Sequence, residues 1–106
     1  MPKFLIQGSF TKEGTKGLAK EGGIKRRQGV EKFFSAAGGK LEALYFAFGE
    51  TDVFAIGDFP DNVSAAALSL AANSTAAINV RMTALITPEE MDQAAQKSGS
   101  LHPPVS

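Results

Sequence analysis

Two neighbouring stretches constrain this chain more than anything else in it. Leu41–Phe48 and Val53–Phe59 both read as strands, and both are apolar on both parities: Leu41, Ala43 and Tyr45 alternate with Leu44, Phe46 and Phe48 in the first. Gly49-Glu50-Thr51-Asp52 between them is turn chemistry, so 41–59 is expected to form a hairpin. Such a hairpin must be covered on both faces. Helices from the same chain can cover one; an uncovered second face would exceed the apolar patch a monomer ordinarily exposes.

The flanking segments supply the helices. Upstream, Phe4, Ile6 and Phe10 on one parity against Gln7 and Ser9 on the other predict a strand over 3–10. Gly14, Gly17, Gly22 and Gly23 then fall in a basic stretch, so any helix near 13–20 is expected to be short and loosely held. A firmer helix starts near Ile24, with Val30, Phe33, Phe34 and Ala37 at i, i+3, i+4 and i+7, and Gly38–Gly39 stop it. Downstream, Pro60-Asp61-Asn62 opens a helix with Asp61 or Asn62 as cap, and Val63, Ala66, Ala67 and Leu70 predict its core stripe. Ile78, Val80, Met82, Ala84 and Ile86 alternate with Asn79, Arg81 and Thr83, a half-polar fourth strand. Thr87-Pro88-Glu89-Glu90 is a capping box with proline at N1, and it starts a short helix carrying Met91, Ala94 and Ala95, ended by Gly99.

The order is βαββαβ plus a C-terminal helix. The fold class is α+β: a ferredoxin-like antiparallel sheet with helices on one face, because right-handed crossovers place both on the same side. At 106 residues the chain makes one domain, over 1–98, with an extended tail over 99–106. The uncovered sheet face is expected to be closed by another copy, giving a homodimer or higher homo-oligomer.

Several function classes are excluded or disfavoured by composition. There is no cysteine and one histidine, so disulfide scaffolds, thiol nucleophiles and Cys-ligated metals are excluded and no metal site or cofactor is expected. No run approaches the ~20 apolar residues of a membrane span, and Met1–Phe10 does not read as a secretory signal, so the expectation is a cytoplasmic protein with no membrane partner. The net charge of zero hides a basic first 40 residues, at +6, and an acidic remainder, at −6. Either the halves neutralise each other, within or between subunits, or the basic half meets nucleic acid. The RNA-binding alternative with the same strand order is disfavoured: the third strand, Val53-Phe-Ala-Ile-Gly-Asp-Phe59, lacks the basic–aromatic signature and is preceded by Glu50 and Asp52. No nucleic-acid partner is expected.

Tyr45-Phe-Ala-Phe-Gly-Glu-Thr-Asp52, followed by Pro60-Asp61 and an alanine-rich helix, with Gly22–Gly23, Arg26–Arg27 and Gly38–Gly39 upstream, resembles the bacterial GYD-domain family over roughly residues 3–97. The family's name comes from a Gly-Tyr-Asp signature at the hairpin turn; Gly49 and Asp52 match it, and Thr51 stands where the tyrosine would be. The resemblance implies a ferredoxin-like fold assembled like the dimeric α+β barrels, and it implies no activity. Proteins of that architecture include cofactor-free monooxygenases, small isomerases and ligand-sensing modules, so architecture alone does not choose among them.

Two groups of residues are candidates for binding. Arg26, Arg27, Glu50 and Asp52 are brought to one end of the sheet by the topology, where Gly22–Gly23 lead into a helix N-terminus that favours an anion. The competing reading is ion pairing of Arg26 or Arg27 with Asp52 or Glu50, and of Arg27 with Glu31. Gln7 and Ser9 lie on a strand next to that of Asn79, Arg81 and Thr83. Their polar sides form one wall of a ligand space whose other wall is Phe54 with Tyr45 or Phe46, or else a polar contact between copies. Arg81 in its middle calls for a small anionic ligand or a partner carboxylate. The catalytic candidates are Asp52, if buried, and His102, whose proline-flanked tail makes packing or disorder the competing reading. The expected function is an oligomeric protein that binds or senses a small molecule through Arg81, Arg27, Gln7, Ser9 and Tyr45. The alternative is a cofactor-free enzyme, of isomerase or monooxygenase type, on a small metabolite.

Overall fold

The computed structural model describes residues 1–104; of the expected tail, residues 105 and 106 lie outside the described residues. Strands β1 (Lys3–Phe10), β2 (Lys40–Phe46), β3 (Val53–Asp58) and β4 (Ile78–Leu85) form one sheet in the order β2-β3-β1-β4, with every neighbouring pair antiparallel. Helices α1 (Lys12–Glu21) and α2 (Gly23–Ala36) cross from β1 to β2, α3 (Asn62–Asn73) crosses from β3 to β4, and α4 (Pro88–Ser98) follows. This is the ferredoxin-like α+β arrangement, with α2 packed on β2 and α3 on β4. The first crossover holds two helices, of which α1, at ten residues, is longer than the short, loosely held helix expected near 13–20.

The glycines explain that difference. Thr11 caps α1 by accepting from the backbone of Gly14. A methyl group on Gly14 would lie 2.0 Å from the Ala77 carbonyl oxygen, so this glycine lets α1 rest directly on the loop before β4. Gly22, at φ +89°, then ends α1 and starts α2. The glycines that suggest a loose helix from sequence instead let it approach closely and turn.

The core lies between the sheet and the helices. Phe59 is 0% exposed and touches Phe4 edge-on at 5.9 Å between centroids, and Phe34 at 5.1 Å. Ile6, Ala55, Ala65 and Leu68 complete it, with Val30, Leu41, Leu44, Val80 and Met82 around them. On α3 the inward stripe is Ala65, Leu68 and Ala72; the predicted stripe of Val63, Ala66, Ala67 and Leu70 faces away, exposed. In β2 a register shift between Leu41 and Ala43 corrects the expected alternation. Leu41, Leu44 and Phe46 fall opposite Gly57, Ala55 and Val53 of the buried row, whereas Ala43 and Tyr45 fall opposite Ile56 and Phe54 of the other face. Phe48 lies beyond the strand and is fully exposed.

At the far end, Thr87 accepts from the Glu90 backbone and Glu90 accepts from that of Thr87, the predicted capping box. α4 nevertheless buries no residue. The molecule measures 55 Å along its longest axis and has a radius of gyration of 16.7 Å, against about 13 Å for a compact chain of this length.

Candidate functional site

The sheet offers two different surfaces. On the helix-free face, pairing sets Tyr45, Phe54, Gln7 and Arg81 side by side across all four strands, and beneath them Ala43, Ile56, Leu5 and Thr83. Ser9 pairs with Asn79 on the same face. Four of the five expected ligand residues, Gln7, Ser9, Tyr45 and Arg81, are thus neighbours, with the aromatic end on β2 and β3 and the polar end on β1 and β4. Phe54 belongs to this wall and Phe46 does not. Tyr45 is 73% exposed, Arg81 is exposed, and among the described residues Arg81 makes no ion pair. Lys3 anchors the other end of the face, donating to Glu42 and, at 3.0 Å, to Asp58; these two carboxylates hold its ammonium pKa above the ordinary value.

The fifth residue, Arg27, is elsewhere. It sits exposed on α2 with Nε 3.7 Å from Glu31, the expected i, i+4 pair. Arg26 pairs with Glu21 at 3.0 Å, and the expected pairing of either arginine with Asp52 or Glu50 does not occur among the described residues. The reason is that Asp52 is already engaged. Its Oδ2 accepts from the Phe10 backbone N–H at 2.8 Å, its own N–H donates to the Gly8 carbonyl, and the Ser9 hydroxyl donates to the Glu50 carbonyl. Those bonds fasten the hairpin loop to the end of β1. His102 is exposed in the tail, away from the other candidates in sequence and with no side-chain hydrogen bond among the described residues.

The second surface was not legible as a site. On the helix side, α2 and α3 stand apart over the sheet and leave a cleft of about 170 Å³. Val30, Phe33 and Phe34 line one wall, Leu68 and Ala72 the other, and Ile6, Leu44, Val53, Ala55, Ile78 and Val80 the floor. Among the described residues, Arg26 is the single charged one in the lining. It is held in place from two sides, by Glu21 across the α1–α2 turn and by the ring of Phe10, whose centroid is 5.4 Å from the guanidinium carbon. The apolar α2 stripe signalled this wall, but it reads equally as plain core; Leu68 and Ala72 were hidden by the misplaced α3 stripe. Among the described residues, no group of three or more His, Cys, Asp or Glu could hold a metal, and no helix is long and apolar enough to cross a membrane.

Against known proteins, residues 4–95 match the family model of the GYD domain. No curated protein and no solved structure matches the chain.

Proposed function

The chain belongs to the GYD-domain family, and on that footing we propose that it binds a small, mostly apolar molecule in the cleft between α2 and α3. The observation behind this reading is the lining itself. A dry cavity of about 150 Å³ is enough to hold a benzene-sized guest, and this cleft, at about 170 Å³, is apolar throughout except for Arg26. A ligand with one aromatic or branched aliphatic body and one carboxylate fits that pattern, the carboxylate meeting the positioned guanidinium.

The same lining favours binding over catalysis. It holds no carboxylate, imidazole, hydroxyl or amine, and an arginine does not serve as a general base because it stays protonated. The helix-free face has a separate part in this reading. Its apolar end, Leu5, Tyr45, Phe54 and Ile56, supports a contact between copies, with Arg81 meeting a carboxylate of the other copy or a small anion.

Titration with phenylacetate and with toluene, followed by calorimetry, tests the cleft. Phenylacetate should bind, Arg26→Gln should weaken it at least tenfold while leaving toluene unchanged, and Ala72→Leu, which fills the space, should abolish both. No binding of either probe to the wild-type chain, or binding indifferent to Ala72→Leu, would overturn the proposal.

A further inference from the structure

Among the described residues, two helix faces lack a partner, and their patterns match. Opposite its buried stripe, α3 exposes Val63, Ala66, Ala67 and Leu70, with Val63 78% and Leu70 73% exposed. α4 exposes Met91, Ala94, Ala95 and Ser98 at the same i, i+3, i+4, i+7 spacing. An isolated helix of eleven residues is marginal in water, so α4 needs a surface to lie on, yet among the described residues it buries none of its own. We infer that α4 of one copy packs its Met91–Ala94–Ala95 face on the Val63–Leu70 face of α3 in a second copy.

Complementarity favours this pairing. Each stripe has two adjacent alanines where the other can seat a larger side chain, which allows close helix contact. α3 carries no charged residue from Asn62 to Asn73, so it meets the Glu89, Glu90 and Asp92 that flank the α4 stripe without repulsion.

The chain's own α4 does not make this contact: it buries no residue, and Val63 and Leu70 stay 78% and 73% exposed. The partner is therefore another chain, an exchange of the kind that swaps identical elements between protomers. This surface lies on the opposite side of the molecule from the helix-free sheet face, so the two contacts stand or fall separately.

The absence of cysteine makes the test direct. Leu70→Cys and Met91→Cys chains, and Ala67→Cys and Ala94→Cys chains to scan register, are mixed in pairs across the two helices and oxidised at micromolar concentration. Folding of each is checked by circular dichroism. A disulfide-linked species of twice 11.1 kDa, holding one chain of each kind, is expected at least tenfold above a Lys32→Cys with Met91→Cys control. It should persist with Phe54→Lys in both chains, which disrupts the sheet face. No mixed species above the control in any pairing would overturn the inference. So would an intrachain disulfide in the Leu70→Cys/Met91→Cys double variant, or linkage confined to chains of one kind.

Discussion

Gly14 and Gly29 are both helical glycines with opposite surroundings, and they separate packing from propensity. A side chain on Gly14 meets backbone at 2.0 Å, which cannot move aside as a flexible side chain would, whereas Gly29 has nothing within 4 Å. Gly14→Ala should therefore destabilise by roughly 1–3 kcal/mol through overpacking, and Gly29→Ala should stabilise by up to about 1 kcal/mol through helix propensity; urea unfolding of both measures this. The sequence shows two similar glycines because Ala77, which distinguishes them, is 63 residues from Gly14. Lys3 is a second case of remote partners. Its ammonium is held above its ordinary pKa of 10.5 by Glu42 and Asp58, so the stabilisation is complete below pH 10.5 and disappears as pH rises through the higher folded value. Lys3→Met should melt lower than the wild-type chain at pH 8, and the difference should shrink in parallel melts above pH 10.5.

Among the elements, α3 shows why periodicity locates a helix better than it orients one. Asp61 is legible as a cap candidate because cap chemistry is local: its Oδ1 accepts from the Ser64 backbone N–H at 2.8 Å. That bond holds the carboxyl below its ordinary pKa of 3.8, so its contribution is present above pH 3.8 and is lost as pH falls through the folded value. Asp61→Ala should lower the melting temperature at pH 7, Asp61→Asn should restore most of the loss, and the gap between wild type and Asp61→Ala should close in melts at pH 2–3. The face was another matter. Eight of the twelve residues of α3 are Ala, Leu or Val, so two opposite stripes fit a 3.6-residue period equally well. Only the tertiary fit of Leu68 beside Phe34 and Phe59 decides between them. The β2 bulge misled in the same way: one extra residue moved Leu41 to the face of Leu44, and alternation cannot announce it.

At the scale of the whole molecule, the strand order and the open-face row of Gln7, Ser9, Tyr45 and Arg81 were legible because pairing in this topology follows from element order and parity. The cleft was not, since a gap between two helices depends on how far apart they pack and leaves no trace in either helix alone. Among the described residues, a single copy presents an aromatic half-face on β2 and β3, an arginine on β4 that makes no ion pair, and a helical arm, α4, that buries no residue. Assembly through the helix-free face would desolvate Leu5, Phe54 and Ile56 at its middle, where a charge has no water and no counterion. Phe54 pairs with both Gln7 and Tyr45, at the centre of the row, so Phe54→Lys introduces an ammonium where the two faces would meet while leaving the buried row of β3 untouched. Light scattering at micromolar concentration should give a mass of at least twice 11.1 kDa for the wild-type chain, and Phe54→Lys should remove the sheet-face contribution to it with little change in melting of the subunit. A wild-type chain that stays at 11.1 kDa would overturn assembly through this face and leave its apolar half unexplained.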